Sequence, residues 1–318
     1  MSETIRYLII VFGVLIGAVS AAAGLIWLER RLLALWQDRY GPNRVGPFGL
    51  TQVVADMIKI FSKEDWVPPF ADKPIFVLAP AVIIVTVLIS FAVISYAPGI
   101  SVSDLNIGLL VFLAMSSMAV YSVVLGGWSS NSKYSLLGAL RASSQMLSYE
   151  VFMGLSLMGV VMLAGSFRLR DIVEAQRGLW FCIPQFLGLF IFMTAALAET
   201  RRTPFDLPES DSELVAGYHT EYSGIKFGMF YVGEYLGITL NSAMMATFFF
   251  GGWLGPVLPP IVWFLIKTFV LICGFVLLRA ALPRPRYDQL MSFGWKVLLP
   301  LTLLNLVVTG GILLALGS

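Results

Sequence analysis

The sequence predicts an all-α integral membrane protein of about eight transmembrane helices, with an amphipathic interfacial helix in its first cytoplasmic loop. Three observations predict it. Of the 318 residues, 58% are hydrophobic and only 13% charged, about half the roughly 25% found in soluble domains, and mean hydropathy is +0.84. Apolar runs long enough to cross a bilayer, about 20 residues each, recur eight times. Basic residues gather in alternate loops. Composition alone excludes a soluble fold, a disordered chain and a nucleic-acid binder. The net charge of +2 is too small to call for an acidic partner.

The first run, 5–28, stops at Glu29-Arg30-Arg31 and shows no small-residue cleavage site. It reads as a retained helix, not a signal peptide. The remaining runs cover about 75–97, 105–126, 138–165, 180–200, 225–254, 260–281 and 296–316. The sixth is long enough to predict tilt or protrusion, and Gly228, Gly233 and Gly237 predict an irregular stretch within it. Residues 1–318 then form a single polytopic domain, with loops at about 29–74, 127–137, 201–224 and 282–295. Sixteen of the 21 Lys and Arg residues lie in or beside these loops, against four (Arg6, Arg168, Arg170 and Arg177) on the opposite face. The positive-inside rule makes the basic loops cytoplasmic and both termini periplasmic. In the first loop, Leu50, Val53, Val54, Met57, Ile58 and Phe61 recur at helical spacing with Asp56 and Lys59 on the polar side, the pattern of a helix lying in the interface.

The chain has no G-x-G-x-x-G, no P-loop and no C-x-x-C. Its single histidine, His219, falls in a loop, so no bis-histidine haem site exists within the membrane. Cys182 and Cys273, both in apolar stretches, are too few for an iron–sulfur cluster and read as small core residues. No metal site and no redox cofactor of its own is expected. The chain does not carry electrons alone.

Charges inside apolar runs are costly and usually face a bundle interior or a water path. Glu150, Glu234 and Lys267 are such charges. Each is either a snorkelling or helix-bonding group or a member of a proton relay. Glu150 follows Ser143, Ser144, Gln145, Ser148 and Tyr149, a polar run with no use against lipid, and this favours the relay. The segment 199–222 holds six acids, Glu199, Asp206, Glu209, Asp211, Glu213 and Glu221, opposed only by Arg201 and Arg202. Crowded carboxylates titrate as a group, which suits proton uptake or a charge-coupled switch; an acidic face meeting a basic partner is the alternative. Pro204 and Pro208 make the loop's entry rigid. A third group is basic: Arg30, Arg31, Arg39 and Arg44 after the first run, and Arg279, Arg284 and Arg286 after the seventh. Membrane anchoring explains most of them, but the 40–49 turn beside Arg39 is too rich in Gly and Pro to be a mere spacer.

Four blocks, ERRLLALWQDRYGPNRVGPFGLTQVVADMIK (29–59), GWSSNSKYSLLGALRASSQMLSYE (127–150), AETRRTPFDLPESDSELVAGYHTEYSG (198–224) and PRPRYDQLMSFGWKVLLPL (283–301), lie in order along the chain. Together they resemble one family, the H subunit of respiratory complex I, the proton-pumping NADH:quinone oxidoreductase, in its bacterial form. The resemblance implies a membrane subunit of an oxidoreductase complex in the bacterial inner membrane. It implies quinone as substrate, with FMN and iron–sulfur clusters held by partner subunits. The expected partners are the peripheral quinone-site and iron–sulfur subunits, the small membrane subunits and the antiporter-like subunits. It implies a quinone tunnel at Arg30, Arg39, Asp56, Lys59 and Arg279. It implies a coupling path through Glu150, Glu199, Arg202, Asp206, Glu209, Asp211, Glu213, Glu221 and Glu234. Three positions depart from the usual pattern: Arg201 for Asn, Asp211 for Glu and Ser144 for Ala. Arg201 adds a positive charge beside Glu199. Two other readings stay open at this point. One is the homologous membrane anchor of a hydrogenase or formate hydrogenlyase; the other is a stand-alone secondary transporter, which the missing internal repeat and the large one-sided loops disfavour.

Overall fold

The computed structural model describes residues 3–209 and 215–317. The chain forms α1 (Glu3–Trp36), α2 (Gln52–Ser62), α3 (Lys73–Val93), a small antiparallel hairpin β1 (Ser95–Ala97) and β2 (Ile100–Ser101), α4 (Gly108–Ser129), α5 (Lys133–Ala164) and α6 (Leu169–Ala175). It continues as α7 (Phe186–Glu199), α8 (Gly224–Phe249), α9 (Pro260–Ala281) and α10 (Tyr287–Phe293). A π turn over Gly294–Leu298 then leads into α11 (Leu299–Leu316). Among the described residues six segments are long and apolar enough to cross a membrane: Thr4–Trp36, Lys73–Val93, Gly108–Ser129, Lys133–Ala164, Pro260–Ala281 and Tyr287–Leu316. The other two expected runs are helical as well. α7 is apolar but has only 14 residues, about 21 Å at 1.5 Å per residue. α8 has 26 residues and carries Glu234, Asn241, Ser242 and Thr247 among its buried side chains.

The chain changes ends at every one of these eight helices, so the loops sort into two groups. At one end Asp72 N–H donates to Ser129 O, Lys226 pairs with Asp65 at 2.5 Å, and Arg284 pairs with Asp206 at 2.5 Å. At the other, Arg6 Nη2 donates to Gly99 O at 2.8 Å and Arg168 grips Asp104 through both arms of its guanidinium. That grip, a hydrogen bond first and a charge attraction second, holds the Asp104 carboxyl below its ordinary range. The basic end is thus one continuous surface built from all four odd-numbered loops.

The segment before α7 departs from expectation. A span over 180–200 is predicted, yet the helix starts only at Phe186. Pro184 disfavours helical geometry at the residue before it, and the freed backbone needs partners at membrane depth. A buried glutamine, Gln176, supplies some of them, and a second, Gln185, ties the start of α7 to the side chains of α11. Gln176 donates to Thr247 O at 2.9 Å and accepts from Phe181 N and Gly251 N. Gln185 donates to Thr309 Oγ1 and accepts from Asn305 Nδ2, both at 2.8 Å.

α8 packs against α1, α2, α3, α6, α7 and α9 and forms the centre of the bundle. The irregular stretch expected at Gly228, Gly233 and Gly237 is absent: the helix is unbroken there. A Cβ on Gly228 would meet Ile60 of α2 at 3.0 Å and one on Gly233 would meet Ile83 of α3 at 2.9 Å. These glycines permit close helix approach, not a kink. The expected extension to residue 254 also fails, because Gly251 and Gly252 turn the chain at positive φ.

Lys267 resolves in favour of the structural alternative. Its ammonium donates to the carbonyls of Phe250 (2.6 Å), Gly252 (3.0 Å) and Leu254 (2.6 Å), just past the C-terminus of α8. The Trp180 ring centroid lies 4.4 Å from it. Lys267→Met strands three carbonyls, each worth about 1–3 kcal/mol when buried and unpaired. The thermal inactivation midpoint of the purified protein is expected to fall by several degrees. An unchanged midpoint would remove the capping role.

Candidate functional site

At the basic end, α1, α2 and α8 leave a cleft. α2 presents Val53, Met57 and Ile60 inwards, because apolar residues recur on one helical face. Opposite them stand Ile26 of α1 and Phe227, Val232 and Tyr235 of α8, enclosing about 330 Å³. Val54 and Ile58 of α2 face outwards and are exposed, as an interfacial helix requires, and Phe61, also exposed, lines the edge of the cleft. Arg30 and Asp56 rim the cleft and, with Lys59, line an adjoining hollow of about 340 Å³. Asp56 accepts from Arg30 Nη1 at 2.7 Å and from Gln52 Nε2 at 3.0 Å. The walls are apolar and the rim is charged, a shape that receives an amphiphile with its polar end leading.

The turn before α2 is held in place. Trp27 Nε1 donates to Phe48 O at 3.1 Å. Gly49 has φ +75, and a Cβ there would stand 2.2 Å from Pro42 O, so only glycine fits. Arg39 sits on the exposed start of this loop, where its Nε donates to Gln37 Oε1 at 2.8 Å. It lines neither hollow, and in this respect the structure separates it from Arg30, Asp56 and Lys59.

Behind the cleft the ionisable side chains form a line. Glu29, one residue before Arg30, points into the bundle and is only 4% exposed. It contacts Arg279 of α9 and lies 3.6 Å from Arg202. Arg202 in turn lies 3.4 Å from Glu234 of α8, which also faces Arg201 at 3.7 Å. Aromatic faces cover both guanidiniums: Tyr235 at 4.4 Å from Arg202 and Tyr218 at 4.8 Å from Arg201. Arg201 makes its close ion pair with Glu234 and also lines, with Glu199, the small cavity beyond it, which keeps its positive charge beside Glu199 as expected. This small cavity of about 40 Å³ has largely apolar walls into which Arg201, Glu199, Asn241, Ser90 and Ser116 bring polar groups. That is room for one or two waters. Asn241 donates to Glu199 at 3.2 Å. Glu150 of α5 accepts from Ser117 Oγ of α4 at 2.7 Å. Its other oxygen, Oε1, is buried with no hydrogen-bond partner among the described residues.

The acidic loop is bracketed by Gln145 of α5, whose Nε2 donates to Ala198 O at 2.9 Å and Phe205 O at 2.8 Å. Asp206 accepts from Arg284 and from Thr203 Oγ1. Glu209 ends the 3-10 turn Leu207–Glu209, and Glu221 is half-buried in the turn leading to α8. Asp211 and Glu213 lie outside the described residues. The loop returns across α5 at Gly138, where a Cβ would stand 2.6 Å from Gly217.

Of the residues expected from the sequence, the structure places Arg30, Asp56 and Lys59 at the cleft and its adjoining hollow, Arg279, Arg202, Glu234 and Glu199 in the buried line behind it, and Glu150 beside Ser117; Glu29, Asn241 and Ser117 were not among those expected. The signal for Glu29 was its place as the lone acid at a basic helix end; for Asn241 and Ser117 it was a polar group in an apolar run. Among the described residues no group of three or more His, Cys, Asp or Glu is arranged to hold a metal.

A family profile for NADH dehydrogenase matches residues 8–310. The H subunit of the NADH-quinone oxidoreductase of Methylococcus capsulatus is 67% identical over 304 residues, covering 95% of this chain and 96% of that protein. Through a likeness that runs nearly the full length of both chains, this protein belongs to the NADH dehydrogenase family, as an integral membrane member.

Proposed function

We propose that this chain is the quinone-channel subunit of a proton-translocating NADH:quinone oxidoreductase. The observation that carries the reading is the run of buried ionisable side chains behind an amphiphile-sized cleft, from Glu29 past Arg202 and Glu234 to the cavity that Glu199 lines. Quinone enters between α1, α2 and α8 beside Arg30, Asp56 and Lys59, with Arg39 and Arg279 completing the basic lining in the assembled complex. Partner subunits hold FMN and iron–sulfur clusters and deliver two electrons. With two protons these convert quinone to quinol. Charge arising at the headgroup redistributes protons through Asp206, Glu209, Asp211, Glu213 and Glu221 of the loop. It then acts through Glu199 and Glu234 to Glu150, toward antiporter-like subunits. The chain works as one polytopic unit, residues 1–318, in a bacterial inner membrane. Its basic loops are cytoplasmic and its termini periplasmic, as the distribution of Lys and Arg supports.

Affinity purification in mild detergent tests the assignment. Flavin and iron–sulfur subunits should co-purify with NADH:quinone reductase activity that quinone-site inhibitors abolish. Hydrogenase subunits without NADH activity would overturn the quinone assignment, and a chain purifying alone would overturn the partner argument. The cleft has its own test. Met57→Trp narrows it and should raise KM for long-tailed quinones roughly tenfold, equivalent to about 1.4 kcal/mol, with little change for short-tailed ones. Equal KM values for both would place the entrance elsewhere.

A further inference from the structure

The second large hollow lies at the opposite end of the bundle from α2, between α1, α8 and α9, and encloses about 370 Å³. That is within the roughly 300–1,000 Å³ range of ligand sites. Its walls are almost wholly hydrocarbon. The three hydroxyls that reach it are already committed to their own backbone: Thr239 to Tyr235 O, Thr268 to Phe264 O and Tyr96 to Phe91 O. Nothing in the wall is left to ask for a hydrogen bond, so the occupant is an apolar chain.

The rim is different. One helical turn before Ile10, which lines the hollow, stands Arg6 of α1. Its Nη2 donates to Gly99 O at the tip of the β1–β2 hairpin, and that hairpin lines the hollow through Tyr96 and Ile100. The guanidinium has five donors, is exposed and is fixed on the hairpin that lines the hollow. Among the described residues no acid pairs with it, whereas the neighbouring Arg168 is taken by Asp104.

We propose that this hollow is a phospholipid site, with one acyl chain between α1, α8 and α9 and the phosphate on Arg6. The charge complementarity selects a phospholipid over a quinone tail, which carries no anion, and the hollow shares no lining residue with the α2 cleft. It assigns a structural lipid to the leaflet at the sparsely basic end. The Gly13 and Gly17 positions show how the space is kept: a Cβ on either would meet nothing within 4 Å, so a larger residue fills the hollow without a clash.

The test uses the whole purified complex after exhaustive detergent exchange, with bound phospholipid counted by phosphorus analysis and native mass spectrometry. Gly17→Leu and Arg6→Gln should each lose one phospholipid relative to the unmodified protein, while Arg6→Lys keeps it. Added phosphatidylglycerol vesicles should restore the count in the unmodified protein only, and inorganic phosphate should not compete. An equal lipid count in Gly17→Leu and the unmodified protein would overturn the proposal. So would a photo-crosslinker at Gly17 that captures a polypeptide instead of lipid, since a neighbouring helix would then fill the hollow. Arg6 is exposed, so Arg6→Gln folds even if the filled variant does not.

Discussion

Glu234→Gln is expected to destabilise the assembled protein by about 3–5 kcal/mol, the cost of breaking a buried ion pair from one side. Glu234 is 5% exposed and faces the guanidiniums of Arg201 and Arg202. An amide there leaves two buried cations opposed by one fewer charge. Little complex should accumulate in membranes, and what does accumulate should inactivate at a lower temperature. Adding Arg201→Asn removes one of the two cations and is expected to recover part of the loss. Full accumulation of the single variant, with normal thermal behaviour, would show that Glu234 carries no structural charge and would return it wholly to the coupling path.

Glu150→Gln makes the opposite prediction. The glutamine oxygen can still accept from Ser117 Oγ, the neighbouring packing is unaltered, and assembly should be normal. A carboxyl that binds and releases a proton is gone, however. Inhibitor-sensitive NADH:quinone reduction and the accompanying acidification of inverted vesicles should fall together, by at least roughly tenfold, equivalent to about 1.4 kcal/mol in barrier. NADH oxidation by an artificial acceptor, which bypasses quinone, should be unchanged. Unimpaired quinone reduction and pumping would sink the relay. Together the two variants separate a carboxylate that holds the bundle shut from one that acts by titrating.

The parts of the fold that follow from hydrophobic periodicity were legible. All eight apolar runs became helices, and the 50–61 stretch became α2 over Gln52–Ser62. What periodicity does not encode is where an apolar segment stops being helical. Hydropathy extends across 180–200, whereas Pro184 and the Gln176 amide, which takes up the freed backbone, favour a helix that begins at Phe186. Glycine was similarly ambiguous: Gly228 and Gly233 read as weak points because a sequence shows a missing side chain but not the neighbour, Ile60 or Ile83, that requires it to be missing.

At the site, charges within apolar runs identified Glu150 and Glu234 because their burial cost has a sequence signature. Glu29 carried a weaker one, a lone acid at a basic helix end, which looks solvated until α9 brings Arg279 against it. Lys267 had the same signature as Glu150 and a different outcome. Its partners are three backbone carbonyls, which no reading of side chains can supply.

α5 carries Gln145 and Glu150 on one stiff rod, five residues and therefore about 7.5 Å apart. Gln145 clamps both rims of the loop that begins at Glu199, and Tyr149 between them is tied through its hydroxyl to Leu290 O at 3.0 Å. Mechanically this is a lever with its load at one point and its linkage at the next. A displacement of α5 along its axis moves the loop's hinge and the Glu150 carboxyl by the same amount, so position at one is a gauge of position at the other.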